Sequence, residues 1–103
     1  MSEADITKYA TMLAKNPNNE LARFSLGKTL YDDGKFSQAV ESFRICIEGK
    51  PDWMVPMILL GRCHVALGDK ASARNYFEKA RQLAIEQHHD GPLEEVNSLL
   101  ATL

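Results

Sequence analysis

Apolar positions recur along this chain at helical spacing, in blocks separated by turn residues. Ile6, Tyr9, Ala10 and Leu13 share one helical face, with Met12 alongside. Ahead of them, Ser2-Glu3-Ala4-Asp5 reads as a weak N-cap, with carboxylates where a helix N-terminus favours negative charge. Asn16-Pro17-Asn18-Asn19 stops the first helix, because proline cannot continue the hydrogen-bond ladder and restricts its predecessor. Asn18 or Asn19 can cap the next helix. That second helix is predicted over 20–32, with Leu21, Phe24, Leu26, Leu30 and Tyr31 as its larger side chains. Asp33-Gly34 closes it, glycine suiting the left-handed conformation at a helix end.

The third predicted helix, 37–48, buries Ala39, Val40, Phe43, Cys46 and Ile47, and Gly49-Lys50-Pro51-Asp52 breaks it. The fourth, 53–67, carries Pro56 in its first turn, where a missing N–H costs little. Gly68-Asp69 ends it and offers a cap for a fifth helix over 70–87, with Ala73, Phe77, Ala80 and Leu83 or Ala84 inward. Asp90-Gly91-Pro92 is the last predicted turn. Leu93, Val96, Leu99, Leu100 and Leu103 then form one apolar stripe on a sixth helix. No stretch alternates as a strand would. The pattern predicts an all-α chain of six short antiparallel helices.

The blocks also repeat. Leu26-Gly27, Ala39 and Phe43 return as Leu60-Gly61, Ala73 and Phe77, a shift of 34 (61 − 27 = 34), and Gly34 returns as Gly68. Pro17 stands 34 before Pro51. A fixed interval of this size signals stacked supersecondary units. These residues resemble the tetratricopeptide repeat, whose unit is two antiparallel helices bearing W-x₂-L-G-x₂-Y, A-x₃-F and a proline. The resemblance implies a right-handed α-α superhelix in one domain. It divides into an N-terminal half-repeat helix (1–19), repeat 1 (20–53), repeat 2 (54–87) and a C-terminal capping helix (91–103). Arg23 and Met57 stand where the pattern has its large aromatic, His64 where it has tyrosine, and Ile85 where it has proline. With a two-residue slip, Leu93, Val96, Asn97 and Leu100 follow Met57, Leu60, Gly61 and His64 (97 − 61 = 36).

In this family the first helices of successive units line a concave groove that takes up a segment of another protein. By position the resemblance assigns Leu21, Phe24, Ser25, Lys28, Tyr31 and Asp32 from repeat 1 to that groove. Repeat 2 supplies Val55, Ile58, Leu59, Arg62, Val65 and Ala66. With Met57, Leu60, Cys63, His64 and Leu67 expected to pack inward, the remaining surface of the fourth helix is still mostly apolar. A helix apolar all round is either covered or presents a binding face. Lys28 and Arg62, equivalent positions 34 apart, suit an apolar partner segment with some acidic character. The family's carboxylate clamp wants lysine, asparagine and asparagine where this chain has Phe24, Lys28 and Leu59, which disfavours heat-shock chaperone tails. The expected role is a protein-binding adaptor, with self-association as a homodimer, or service as an accessory subunit, as the alternative.

Composition narrows the partners. A net charge of −2 leaves no strong basic stripe for a phosphate backbone, so no nucleic acid is expected. The longest apolar run, Trp53 to Leu60, is interrupted by Pro56 and ends at Gly61-Arg62, too short to span a bilayer. The acidic start lacks the basic and apolar segments of a secretory signal, which makes a cytoplasmic location with reduced thiols the default expectation.

Chemistry is sparse. Gly27-Lys28-Thr29 looks like the end of a phosphate loop, but the earlier glycine is Ala22 and the stretch is helical. His88-His89-Asp90 are adjacent residues at a helix end with no second ligand cluster, so no metal site is expected. Cys46 and Cys63 lack C-x-x-C spacing and fill packing positions. No nucleophile, base and orienting acid assemble from these residues. Neither a cofactor nor catalysis is expected.

Overall fold

All but one of the breaks read from the sequence become turns, and the segments between become helices. The computed structural model describes residues 2–103. It holds α1 (Ser2–Lys15), α2 (Glu20–Asp32), α3 (Phe36–Gly49), α4 (Met54–Ala66), α5 (Lys70–Glu86) and α6 (Asp90–Ala101), with no strand among the described residues. Each helix packs on its neighbours in the chain, giving a stack of 38 × 27 × 20 Å. The expected Ser2 cap side chain lies outside the described residues. Glu3 and Asp5 occupy the first turn of α1.

The turns explain where the helices stop. Gly34 at φ 76° and Gly68 at φ 83° end α2 and α4, and the following amides, Lys35 N and Asp69 N, each donate to a carbonyl five residues back. The end of α5 repeats this with His89 N donating to Ala84 O at 2.9 Å, but the left-handed position is His88 at φ 57°. Asn19 caps α2 by accepting from Ala22 N at 3.0 Å, and Asp69 caps α5 through Ser72 N at 3.1 Å.

The exception is the last break. Asp90, Gly91 and Pro92 form the first turn of α6 rather than the turn before it. Proline fits there for the reason it fits at Pro56: first-turn amides have no carbonyl to meet, so its missing N–H breaks no bond. Helix starts then repeat at 34 from α2 to α4 (54 − 20) and from α3 to α5 (70 − 36), but at 36 from α4 to α6 (90 − 54). The extra length is at the C-terminal end of α5, which runs 17 residues against 14 for α3.

The core is a seam with two centres. Leu30, Ala39, Phe43, Leu60 and Cys63 join α2, α3 and α4. Met54, Met57, Ile58, Ala73, Phe77, Ala80, Ala84 and Val96 join α4, α5 and α6. Ile47 and Tyr76 touch both. Phe43 and Phe77 are completely buried, each contributing about 1.5–3 kcal/mol by burial. Both lie where a glycine lets the facing helix come close: a Cβ on Gly27 or Gly61 would meet the ring of Phe43 or Phe77 inside van der Waals distance. Leu67, expected inward, is 47% exposed, because it is the C-cap residue beyond the last turn of α4.

Candidate functional site

α4 carries more apolar residues than one packing face can hide. Met54, Pro56, Met57, Ile58, Leu60 and Cys63 are buried, whereas Val55 and Val65 remain 52% and 42% exposed. The N-terminal half of α4 faces α6 across a cleft of about 540 Å³. Trp53, Met54, Val55, Ile58 and Leu59 form one side, Pro92 and Glu95 the other, and Lys50, Asp52, Gln87 and His89 the mouth. Gln87 Nε2 donates to the Asp52 carbonyl at 3.0 Å, tying the two turns at that end together. Trp53 is held by the tilted ring of Phe24, centroids 5.2 Å apart, and Phe24 leans on Phe43 at 6.0 Å. The indole is thus fixed by the core behind it.

Of the residues expected in a groove, the cleft gathers Val55, Ile58 and Leu59. Ile58 is 6% exposed and belongs mainly to the core. Phe24 supports the cleft from behind through Trp53. Leu21, 74% exposed, occupies on α2 the position of Val55 on α4, outside the cleft. Tyr31 packs edge-on against Phe36 at 5.6 Å, and Ser25 accepts a hydrogen bond from Thr29 Oγ1 through its carbonyl. Val65 and Ala66 lie at the far end of α4 and outside the cleft.

The two cations are already paired. Lys28 Nζ donates to both oxygens of Asp32, at 2.8 and 2.9 Å. Arg62 donates to Glu95 at 2.9 Å and so bridges α4 to α6 at the edge of the cleft. Sequence reasoning missed Trp53, Pro92 and Glu95. Trp53 had a signal, since it stands 34 after the cap Asn19 and therefore at a helix entrance. Glu95 had none, because only the seating of α6 brings it to Arg62.

The sequence profile of the tetratricopeptide repeat matches residues 57–84. The TPR repeat-containing protein PA0015 of Pseudomonas aeruginosa is 41% identical over 68 residues, 66% of this chain. The solution structure of protein BPP2914 from Bordetella parapertussis covers 94% of this chain and 84% of its own, with TM-score 0.83 and 28% identity. The chain carries a tetratricopeptide repeat. The Hsp70-Hsp90 organizing protein of wheat, Triticum aestivum, is 30% identical over 83 residues, 81% of this chain. The chain spans 65% of the length of the Pseudomonas relative and 14% of the wheat one. The same fold occurs in PcrH of Pseudomonas aeruginosa, solved with the chaperone binding region of PopD, at TM-score 0.90 and 20% identity. That match covers 98% of this chain and 77% of PcrH.

The repeat's departures from its pattern now have physical content. His64, in the tyrosine position, stacks on Tyr76 with centroids 5.5 Å apart and planes 9° from parallel, and its Nδ1 lies 3.8 Å from Asp69. Cys46 and Cys63 are buried, and burial pushes both thiols up to about 11, so neither is a nucleophile at neutral pH. Among the described residues, no three metal-ligating side chains come together, and no helix is long and apolar enough to cross a membrane.

Proposed function

We propose that this tetratricopeptide-repeat chain is a protein-binding adaptor that holds an apolar segment of a partner in the cleft between α4 and α6. The observation that carries the reading is the concentration of Trp53, Val55 and Leu59 around one open cleft of about 540 Å³. Filling it with two large apolar side chains contributes about 1.5–3 kcal/mol each before ordering costs. Binding modes named for similar proteins support the class. PcrH is described with the chaperone binding regions of PopD and of PopB, and the wheat relative as an organizer of two heat-shock proteins.

Partner chemistry is set by what the cleft has left to offer. Since Lys28 and Arg62 each hold a carboxylate of this chain, an acidic residue on the partner must displace Asp32 or Glu95. Apolar burial therefore supplies most of the affinity and charge sets only the register. Chaperone tails that need a carboxylate clamp remain disfavoured, because Phe24, Lys28 and Leu59 stand at its positions. The reading is one of binding rather than catalysis, and it takes the protein to work in the cytoplasm.

A displayed random-peptide selection tests it. Wild type should enrich apolar peptides whose binding shifts the emission of Trp53, the chain's single tryptophan. Leu59→Glu should lose them while keeping its helicity. Peptides that bind both proteins equally well would remove the groove from consideration. Light scattering at two concentrations separates the dimer reading, which requires mass to rise with concentration.

A further inference from the structure

A second cleft of about 540 Å³ opens on the other side of α4, between α3 and α5. Its floor is Ile47, Pro51, Met57, Tyr76 and Leu83. Pro51 separates the two clefts: it lines this one, while its neighbours Lys50 and Asp52 line the other. A volume of this order suits a few large side chains.

The rims of the cleft are oppositely charged. On the α3 side, Arg44 is saturated by Glu41 at 2.7 Å and by Glu48, two carboxylates for one guanidinium. On the α5 side, Lys79 carries its ammonium 5.6 Å from the centre of the Tyr76 ring. It has no carboxylate within 4.0 Å among the described residues. An incoming carboxylate is therefore attracted to the α5 rim and repelled by the α3 rim.

We propose that this α3–α5 cleft is a second docking surface, and that its occupant is an amphipathic helix of a partner protein carrying an acidic residue on the edge that faces α5. A helix laid between two helices presents side chains at i, i+3 and i+4 to an apolar floor, which is the spacing a short trough accepts. The acidic edge pairs with Lys79 beside the Tyr76 ring. The excess negative charge on α3 fixes the direction in which the helix lies. This surface shares no lining residue with the α4–α6 cleft, so both can be occupied at once.

Titration of the isotope-labelled chain with a synthetic helix of about 18 residues, leucines on one face and glutamates along one flank, tests the assignment. Amide shifts should saturate and map to Ile47, Tyr76 and Leu83, and Trp53 emission should stay unchanged. Lys79→Glu should weaken binding about tenfold or more, the size of one lost charge-assisted contact. A twin peptide with lysines in place of glutamates should bind correspondingly weakly, and Leu59→Glu should bind like wild type. Four results overturn the proposal: no saturable shifts, shifts confined to the Val55 and Leu59 face, equal affinity for Lys79→Glu, or a concentration-dependent dimer that Lys79→Glu abolishes. The last would make a second copy of this chain the occupant. Circular dichroism confirms that the exposed charge reversal leaves the fold intact.

Discussion

Replacing Gly61 by alanine sets two effects against each other, and the structure decides which wins. In an exposed helix the change gains roughly 1 kcal/mol, since glycine is the poorer helix former. Here the new Cβ would lie 2.6 Å from Phe77 Cδ1 and 3.0 Å from Cζ, closer still to Cε1. Phe77 has nowhere to go: it is fully buried, as are Ala73 and Ala80 on either side. Either α4 and α5 separate or the ring leaves its rotamer. Overpacking of this kind costs about 1–3 kcal/mol. With Phe77 confined on all sides the cost falls in the upper part of that range, about 2–3 kcal/mol, which leaves a net loss of roughly 1–2 kcal/mol after the propensity gain. In a chain of this length each kcal/mol lowers Tm by about 4–8 °C. Gly27→Ala is the internal control. Its Cβ meets Phe43 at 2.8 and 2.9 Å, a milder clash, so the net effect should be nearer zero. Urea unfolding followed by far-ultraviolet circular dichroism measures both. Adding Phe77→Leu should recover part of the Gly61→Ala loss by making room. A Gly61→Ala protein as stable as wild type, or less damaged than Gly27→Ala, would refute the close-approach argument.

His88→Gly should stabilise the chain by about 0.5–1 kcal/mol, because His88 is held at φ 57°, where a side chain is strained; an unchanged or lower urea midpoint would count against this. Asn19→Ala should cost about 1 kcal/mol through loss of the α2 cap, read by the same assay. The Asp69 carboxyl is held below its ordinary value near 3.8, chiefly by the Ser72 hydroxyl and then by the Ser72 amide. Its stabilising contribution is therefore present above that ordinary value and lost as pH falls through the lower, folded one. The gap in midpoint between wild type and Asp69→Ala should close on acidification, and a gap independent of pH would contradict it. With both thiols buried and pushed up to about 11, iodoacetamide should label Cys63 only as fast as the chain unfolds; prompt labelling at pH 7 would mean that the core centre between α3 and α4 opens readily.

Much of the fold was legible because it is set by local rules repeated at fixed intervals. Pro17 ends a helix through its restricted backbone, and Gly34 and Gly68 through the left-handed conformation that glycine permits, whatever surrounds them. Gly27 with Phe43, and Gly61 with Phe77, are complementary pairs whose recurrence announces the stacking. The turn before α6 was misplaced because Gly91-Pro92 reads equally as a turn or as a first helical turn. The deciding feature, His88 in a left-handed conformation, breaks the residue preference that makes such sites recognisable. Leu67 was placed inward by periodicity, but the helix ended first.

The candidate site was less legible, for a different reason. Helical spacing tells which residues share a face, not how far apart two faces stand or what lies opposite. Sequence determined that α4 has surplus apolar surface and that Lys28 and Arg62 occupy equivalent positions. Only the tertiary structure decided that Arg62 reaches Glu95, that Trp53 closes one side of the α4–α6 cleft, and that Lys79 stands beside Tyr76 with no carboxylate of the described residues in reach. Those facts depend on distances between helices. The two-residue lengthening before α6 sets where its side chains arrive, and no local rule in the chain encodes that arrival.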